Sequence, residues 1–167
     1  TNDAVSAVGR LLDMDVEPFL VASVLEGIIA QRLGRRLCRY CRQPEPINEA
    51  VRHRLSPRES VLFEGGMAWR GAGCDKCDDT GFKGRVGYYE LLDIVPSIRA
   101  AITEHRTSSP ELLAAASSSH VNMRQDGLFK AAAGETTVEE VLRATQDTEE
   151  LVASRPRRED GVQIEPA

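Results

Sequence analysis

The stretch Cys74-Asp75-Lys76-Cys77-Asp78-Asp79-Thr80-Gly81-Phe82-Lys83-Gly84-Arg85-Val86-Gly87-Tyr88-Tyr89-Glu90-Leu91-Leu92 joins a two-cysteine knuckle to the best strand candidate in the chain. From Arg85 to Val95 the residues Val86, Tyr88, Tyr89, Leu91, Leu92, Ile94 and Val95 are β-formers, or apolar enough for a strand covered on both faces. The knuckle has a twin upstream, Cys38-Arg39-Tyr40-Cys41, across a gap of 32 residues. Two intervening residues let both thiolates of a pair turn toward one ion, and two pairs complete the tetrahedron that zinc prefers. Cys38, Cys41, Cys74 and Cys77 are therefore predicted to hold a structural Zn2+. Four thiolates leave no position for a reactive water, so catalytic zinc is disfavoured. Two disulfides would suit a secreted chain, yet no export signal opens this one. A redox pair would need a thioredoxin-like setting that is missing. Arg39 and Lys76, inside the knuckles, offset thiolate charge.

Outward from the cysteines, the upstream part reads as helical. Val5, Val8, Leu11 and Leu12 lie at helical spacing, with Asn2 or Asp3 to cap them. Pro18 opens a second helix whose Leu20, Val21, Val24, Leu25, Ile28 and Ile29 form a wide, buried face, and Gly34 ends it. Residues 43–60 carry Pro44, Pro46 and Pro57 and read as a loop with one helical turn near Asn48 to Leu55. Downstream of Pro96 come short helices: one with a stripe of Ile98, Ala101, Ile102 and His105, one starting at Ser109-Pro110-Glu111, one from Met123 to Ala133 stopped by Gly134, and one capped by Thr136 or Thr137. Beyond Thr145 charge replaces apolar period, so residues 146–167 are expected to be a disordered tail.

Composition agrees with a helix-rich mixed protein: 41% of 167 residues are hydrophobic but only 5% aromatic. The longest apolar run, Phe19 to Ala30, is too short to cross a bilayer. The net charge of −5 conceals a basic segment, in which eight arginines between Arg32 and Arg58 face only Glu45 and Glu49. Such a cluster could contact acidic phospholipid headgroups, nucleic acid or a neighbouring subunit; a solvated face or subunit contact is favoured. Nucleic acid is disfavoured because Tyr40 and Trp69 are too few to stack bases. His53, His105 and His120 lack partners at ligand spacing, and Asp78-Asp79-Thr80-Gly81 reads as a turn.

Four ordered segments carry a family resemblance. They are Thr1-Asn2-Asp3-Ala4 through Phe19-Leu20; Ile29-Ala30-Gln31-Arg32-Leu33 leading into Cys38; Gly81 through Leu92; and Met123-Arg124-Gln125-Asp126-Gly127-Leu128 through Glu139-Glu140-Val141-Leu142. Together they resemble the C-terminal part of the type II secretion and type IV pilus-assembly ATPases, the bacterial secretion-ATPase superfamily. The resemblance implies an α/β fold: residues 1–37 as the end of an incomplete RecA-like P-loop ATPase domain, 38–84 as a tetracysteine zinc subdomain, 85–95 as a strand returning to the core, and 96–145 as a small helical C-terminal subdomain.

It further implies a homo-hexameric motor in the full-length protein that binds ATP and Mg2+. That protein would be cytoplasmic and held at the inner membrane by secretion or pilus platform proteins. Thr1, Asn2 and Asp3 would trail a histidine box and are the nucleotide-adjacent positions. The sequence contains no G-x-x-x-x-G-K-[ST] motif and no acidic Walker B strand, so no catalytic residue is assigned and the chain alone is expected not to hydrolyse ATP. The competing expectation is a stand-alone zinc-ribbon module that binds protein or nucleic acid.

Overall fold

The computed structural model describes residues 3–116 and 120–145. Helix α1, Ala4–Leu12, starts as its sequence requires: the Asp3 carboxylate accepts from Ser6 N at 2.7 Å, and Val5 and Val8 point into the core. Pro18 does open α2, but that helix is only Pro18–Val24, and the chain then extends into β1, Gly27–Leu37. The long second helix expected from the spacing of Leu20 to Ile29 is thus corrected. Leu25 is extended at ψ 123°, and from Ile28 onward exposure alternates with the two-residue period of a strand. Nor is α2 deeply buried along one side: Val21 and Ala22 are inside, whereas Leu20 and Val24 are exposed.

The expected strand is present as β4, Phe82–Asp93, and pairs antiparallel with β1 from Gly27↔Asp93 to Leu37↔Phe82, with a bulge between Arg35 and Leu37. Val86, Tyr88, Glu90 and Leu92 are buried, while Tyr89 and Leu91 are exposed, so β4 is covered on one face and not both. Leu92 belongs to a core with α1, α2, α5 (Pro96–Thr103) and α6 (Ser109–Ala115), including Ile98, Ile102 and Leu112. Val86 and Tyr88 belong to another with α7 (Met123–Ala132) and α8 (Val138–Ala144), including Leu128, Val141 and Leu142. The β1–β4 ribbon therefore bridges two apolar clusters. Each fully buried Leu or Ile stabilises the fold by about 1.5–3 kcal/mol relative to exposure.

The segment expected to be a loop carries the second correction. Arg42–Pro46 forms β2 and pairs with β3, Met67–Gly71, placing Pro44 opposite Trp69. Pro44 and Pro46 are compatible with this because an edge strand tolerates missing N–H donors. Two single-turn helices follow β2, α3 (Glu49–Arg52) and α4 (Pro57–Ser60), so a helical turn near Asn48 is present. The β2–β3 hairpin leans on the end of α7: Trp69 Nε1 donates to Ala132 O at 3.2 Å, and Arg42 stacks over the Trp69 ring and donates to Gly134 O at 2.6 Å. Gly134 is at φ +74°, and a Cβ there would lie 2.9 Å from the indole, so glycine is needed to end α7.

His105 was expected on the stripe of α5. That helix stops at Thr103, and His105 is exposed at φ +59° in the following turn. Thr137, of the two candidate caps, accepts from Glu140 N at 3.2 Å. No helix among the described residues is long and apolar enough to cross a membrane. The expected tail, 146–167, lies outside the described residues.

Candidate metal centre

Strand β1 delivers the first knuckle and β4 receives the second. Leu37 ends β1 and Cys38 follows at once, its N–H donating to Gly81 O at 2.9 Å. The turn after Cys38 is closed by Cys41 N and Arg42 N, which both donate to Cys38 O. The other knuckle repeats the pattern, with Cys77 N and Asp79 N donating to Cys74 O. Asp78 and Asp79 take φ values of +52° and +56°, and Thr80 Oγ1 accepts from Phe82 N. The Asp78-Asp79-Thr80-Gly81 run is thus the turn its composition implied. Across the cluster the backbones of Gly71 and Gly81 touch: a Cβ on Gly71 would lie 2.2 Å from Gly81 O. Only glycine allows that approach, which explains the glycine crowding here.

All four Sγ atoms lie within 4.8 Å of one another. The separations are 3.9 Å for Cys38 to Cys74, 3.8 Å for Cys41 to Cys77 and 3.7 Å for Cys74 to Cys77. A disulfide needs about 2.05 Å, so no pair is bonded. Four sulfurs each about 2.3 Å from a central zinc stand about 3.8 Å apart along a tetrahedron's edges. These three separations match that figure and the rest lie within 4.8 Å, so the four residues fit a tetrahedral thiophilic ion. Cys38 and Cys77 are buried and the other two half-buried. As thiols they are unequal. Burial pushes Cys41 up to about 12 and Cys74 upward, whereas at Cys77 burial is outweighed by N–H donation, Gly81 N lying 3.3 Å from Sγ, and the thiol falls to about 7. A coordinated divalent ion deprotonates thiols outright, which would remove this inequality.

Most arginines of the basic segment have partners within the molecule, although all but Arg32 are exposed. Arg35 stacks 4.0 Å from the Phe82 centroid and pairs with Glu140 at 2.7 Å. Arg36 reaches Glu135 at 3.8 Å, Arg52 reaches Glu49 at 3.7 Å, and Arg32 donates to Ala144 O. Arg39, expected to offset thiolate charge, covers the Tyr40 ring and donates to its hydroxyl at 2.6 Å. Of the expected nucleotide-adjacent positions, Thr1 and Asn2 lie outside the described residues, and the Asp3 carboxylate is engaged in capping α1.

Two buried acids escaped the sequence reading. Glu140 accepts from Arg35 N and from the guanidiniums of Arg35 and Arg143; its place in a capping pattern was the visible signal, but its long-range partners were not. Glu90 alternates inward on β4. Burial raises its carboxyl, Met123 N donates to it at 3.3 Å, and His120 Nε2 stands 3.6 Å away. His120, without partners in the sequence, thus sits beside an acid and has Nδ1 3.1 Å from Leu91 O.

A family model described as type II/IV secretion system protein matches residues 1–143. The chain belongs to that family. Among secretion-family relatives, the type II secretion system protein HxcR of Pseudomonas aeruginosa is 44% identical over 147 residues, covering 88% of this chain and 27% of its own length. Type II secretion system protein E of Dickeya dadantii is 42% identical, with 88% and 28% covered. The type IV pilus assembly ATPase PilB of Thermus thermophilus is 40% identical over 146 residues, or 87% of this chain and 16% of the relative. The chain thus spans about a quarter or less of the curated secretion proteins it matches.

Proposed function

We propose that this chain forms the C-terminal portion of a hexameric ATPase that powers type II secretion or type IV pilus assembly, with Cys38, Cys41, Cys74 and Cys77 holding a structural zinc ion. The observation that carries this reading is the 40–44% identity to secretion proteins and a pilus ATPase along nearly the whole described chain. In this reading residues 1–37 with 85–95 complete a RecA-like core, 38–84 form the zinc subdomain, and 96–145 form the helical subdomain. Thr1, Asn2 and Asp3 lie next to the nucleotide only in the full-length assembly, which supplies the P-loop and binds ATP with Mg2+.

Bound zinc would supply rigid tetrahedral cross-linking and no reactive water. The chain's own backbone orients the sulfurs: Gly81 contributes an N–H to Cys77 and a carbonyl to Cys38. The assembly works from the cytoplasm, against platform proteins of the inner membrane. The arginines from Arg32 to Arg58 that remain at the surface could add contact with acidic phospholipid. A stand-alone zinc-ribbon binding module is the lesser reading, since the relatives named above are secretion and pilus proteins.

Elemental analysis of the chain purified without added metal should find one zinc per molecule, falling to none in Cys74→Ser/Cys77→Ser. In a full-length family protein the same double change should abolish secretion or piliation. The chain alone with ATP and Mg2+ should release no phosphate. Phosphate release by the isolated chain, or full transport without the cysteines, would overturn the proposal.

A further inference from the structure

Glu90 lies where β4, α1 and α7 meet, and its carboxylate serves both helices. Met123 N at the start of α7 donates to it at 3.3 Å, and Ala4 N at the start of α1 donates as well. Each is an N–H that its own helix leaves without a partner. One side chain of β4, 4% exposed, thus fastens the first turns of two helices to the ribbon. A further neighbour is His120, whose side chain is 11% exposed and whose Nε2 stands 3.6 Å from Glu90 Oε1.

The contacts of the imidazole fix where its protons go. Nδ1 lies 3.1 Å from Leu91 O, and a carbonyl can only accept, so Nδ1 carries a hydrogen. In the neutral ring Nε2 is then a bare lone pair. That atom is buried, has no hydrogen-bond partner among the described residues and faces a carboxylate oxygen. Two acceptors facing each other away from water repel. One proton between them removes the conflict, either on Nε2 as half of an ion pair or on Glu90 as a carboxylic acid. Burial raises the Glu90 carboxyl, and the charge of Asp3 acts in the same direction. Asp3 at the head of α1, Arg32 on β1 and Arg124 on α7 share a cavity with Glu90, while Asp93 on β4 and Asp126 on α7 line the groove at His120. Carboxylates and guanidiniums as a class keep their charge between about pH 6 and about pH 9, so the Glu90–His120 pair is what changes there.

We propose that Glu90 and His120 form a one-proton latch, which holds the first turns of α1 and α7 against β4 while the proton is present and loosens when it leaves. The folded pair keeps a proton that the same two groups, separated and solvated in the unfolded chain, give up at lower pH. The folded side therefore binds more protons, and stability falls as pH rises through the titration of the pair. α1 packs in one apolar cluster and α7 in the other, so the latch ties the two clusters together at a point that responds to pH. It is built from this chain's own side chains and does not depend on the family reading above.

Amide hydrogen exchange and imidazole NMR on the 167-residue chain test this. Protection of the Met123 amide, corrected for intrinsic exchange, should fall about 10-fold from about pH 6 to about pH 9. In Glu90→Gln the carboxamide donates permanently to His120 Nε2 while its carbonyl still accepts from Met123 N. In His120→Gln the new carboxamide donates permanently to Glu90. Protection in either variant should stay within about 2-fold over the same range, and if one fails to fold the other decides. His53→Gln/His105→Gln, which changes the exposed histidines alone, should keep the full fall. The His120 ring should carry a hydrogen on Nδ1 throughout. An equal fall in the unchanged chain and the folded latch variants, no fall in the unchanged chain, or an Nδ1 without hydrogen would overturn the proposal.

Discussion

Glu140→Gln isolates the charge of a buried acid with little change of shape. The side chain is 3% exposed, and its carboxylate accepts from Arg35 N at 3.1 Å, Arg35 Nη2 at 2.7 Å and Arg143 Nη2 at 2.7 Å. Burial alone would raise its pKa, but these donors outweigh it and hold the group at about 2 against an ordinary 4.5. That displacement corresponds to about 3 kcal/mol. Because the guanidiniums of Arg35 and Arg143 are 57% and 66% exposed, solvent screens the attraction, and about 2 kcal/mol is the expected contribution.

The folded-state pKa is depressed, so the contribution is complete above the unfolded value near 4.5 and is lost as pH falls through about 2. Urea unfolding of both proteins from pH 7 downward reads this directly. Acid would also release a metal held by the cysteines, but both proteins carry that cluster, so the difference between their curves removes this contribution. The variant should be less stable by about 2 kcal/mol at pH 7, with the gap closing toward pH 2. A gap below about 0.5 kcal/mol at pH 7, or one that stays constant into acid, would refute the argument.

Gly71→Ala would drive a Cβ to 2.2 Å from Gly81 O, backbone against backbone; thermal unfolding should show a loss of about 2–3 kcal/mol, and metal stoichiometry should fall with it. Asp126→Ala removes the acceptor for Tyr89 N and the partner of Lys130. A cost of about 1–2 kcal/mol is expected, with faster exchange at the Tyr89 amide and more self-association in sedimentation as the β4 edge of the ribbon opens.

The convergence of the four cysteines was legible because its signal is local: two residues between thiols determine how they can converge, and the separation of the knuckles hardly matters. Strand β4 was legible for the same reason. Strand β1 was not, since Leu20 to Ile29 satisfies a helical period, and only pairing with β4 decides in favour of extension after Leu25. The β2–β3 hairpin was hidden by Pro44 and Pro46, whose tolerance depends on being at an edge that no local reading can locate. Glu140 and Glu90 were missed because their partners lie far along the chain: Arg35 is 105 residues from Glu140, and Met123 is 33 from Glu90. Burial of a charge depends on such contacts, and the residue's own neighbours do not announce it.

Cys38 leaves β1 and Gly81 re-enters β4 through one hydrogen bond, and Ala72 N returns to Cys41 O at 3.0 Å, so the whole excursion between the knuckles departs from and comes back to a single clasp. The excursion is tied back to the ribbon elsewhere as well: Leu55 and Phe63 are buried in the cluster that holds Val86 and Tyr88, and Arg124 Nε of α7 donates to Glu59 at 2.6 Å. Exposed Glu64 and Gly65, where an added side chain would meet nothing at Gly65, are therefore where this architecture can accept a longer loop, a tag or a foreign hairpin while those anchors keep their places. The clasp sets where the excursion begins and ends, and its buried anchors decide which parts of it are free to diversify.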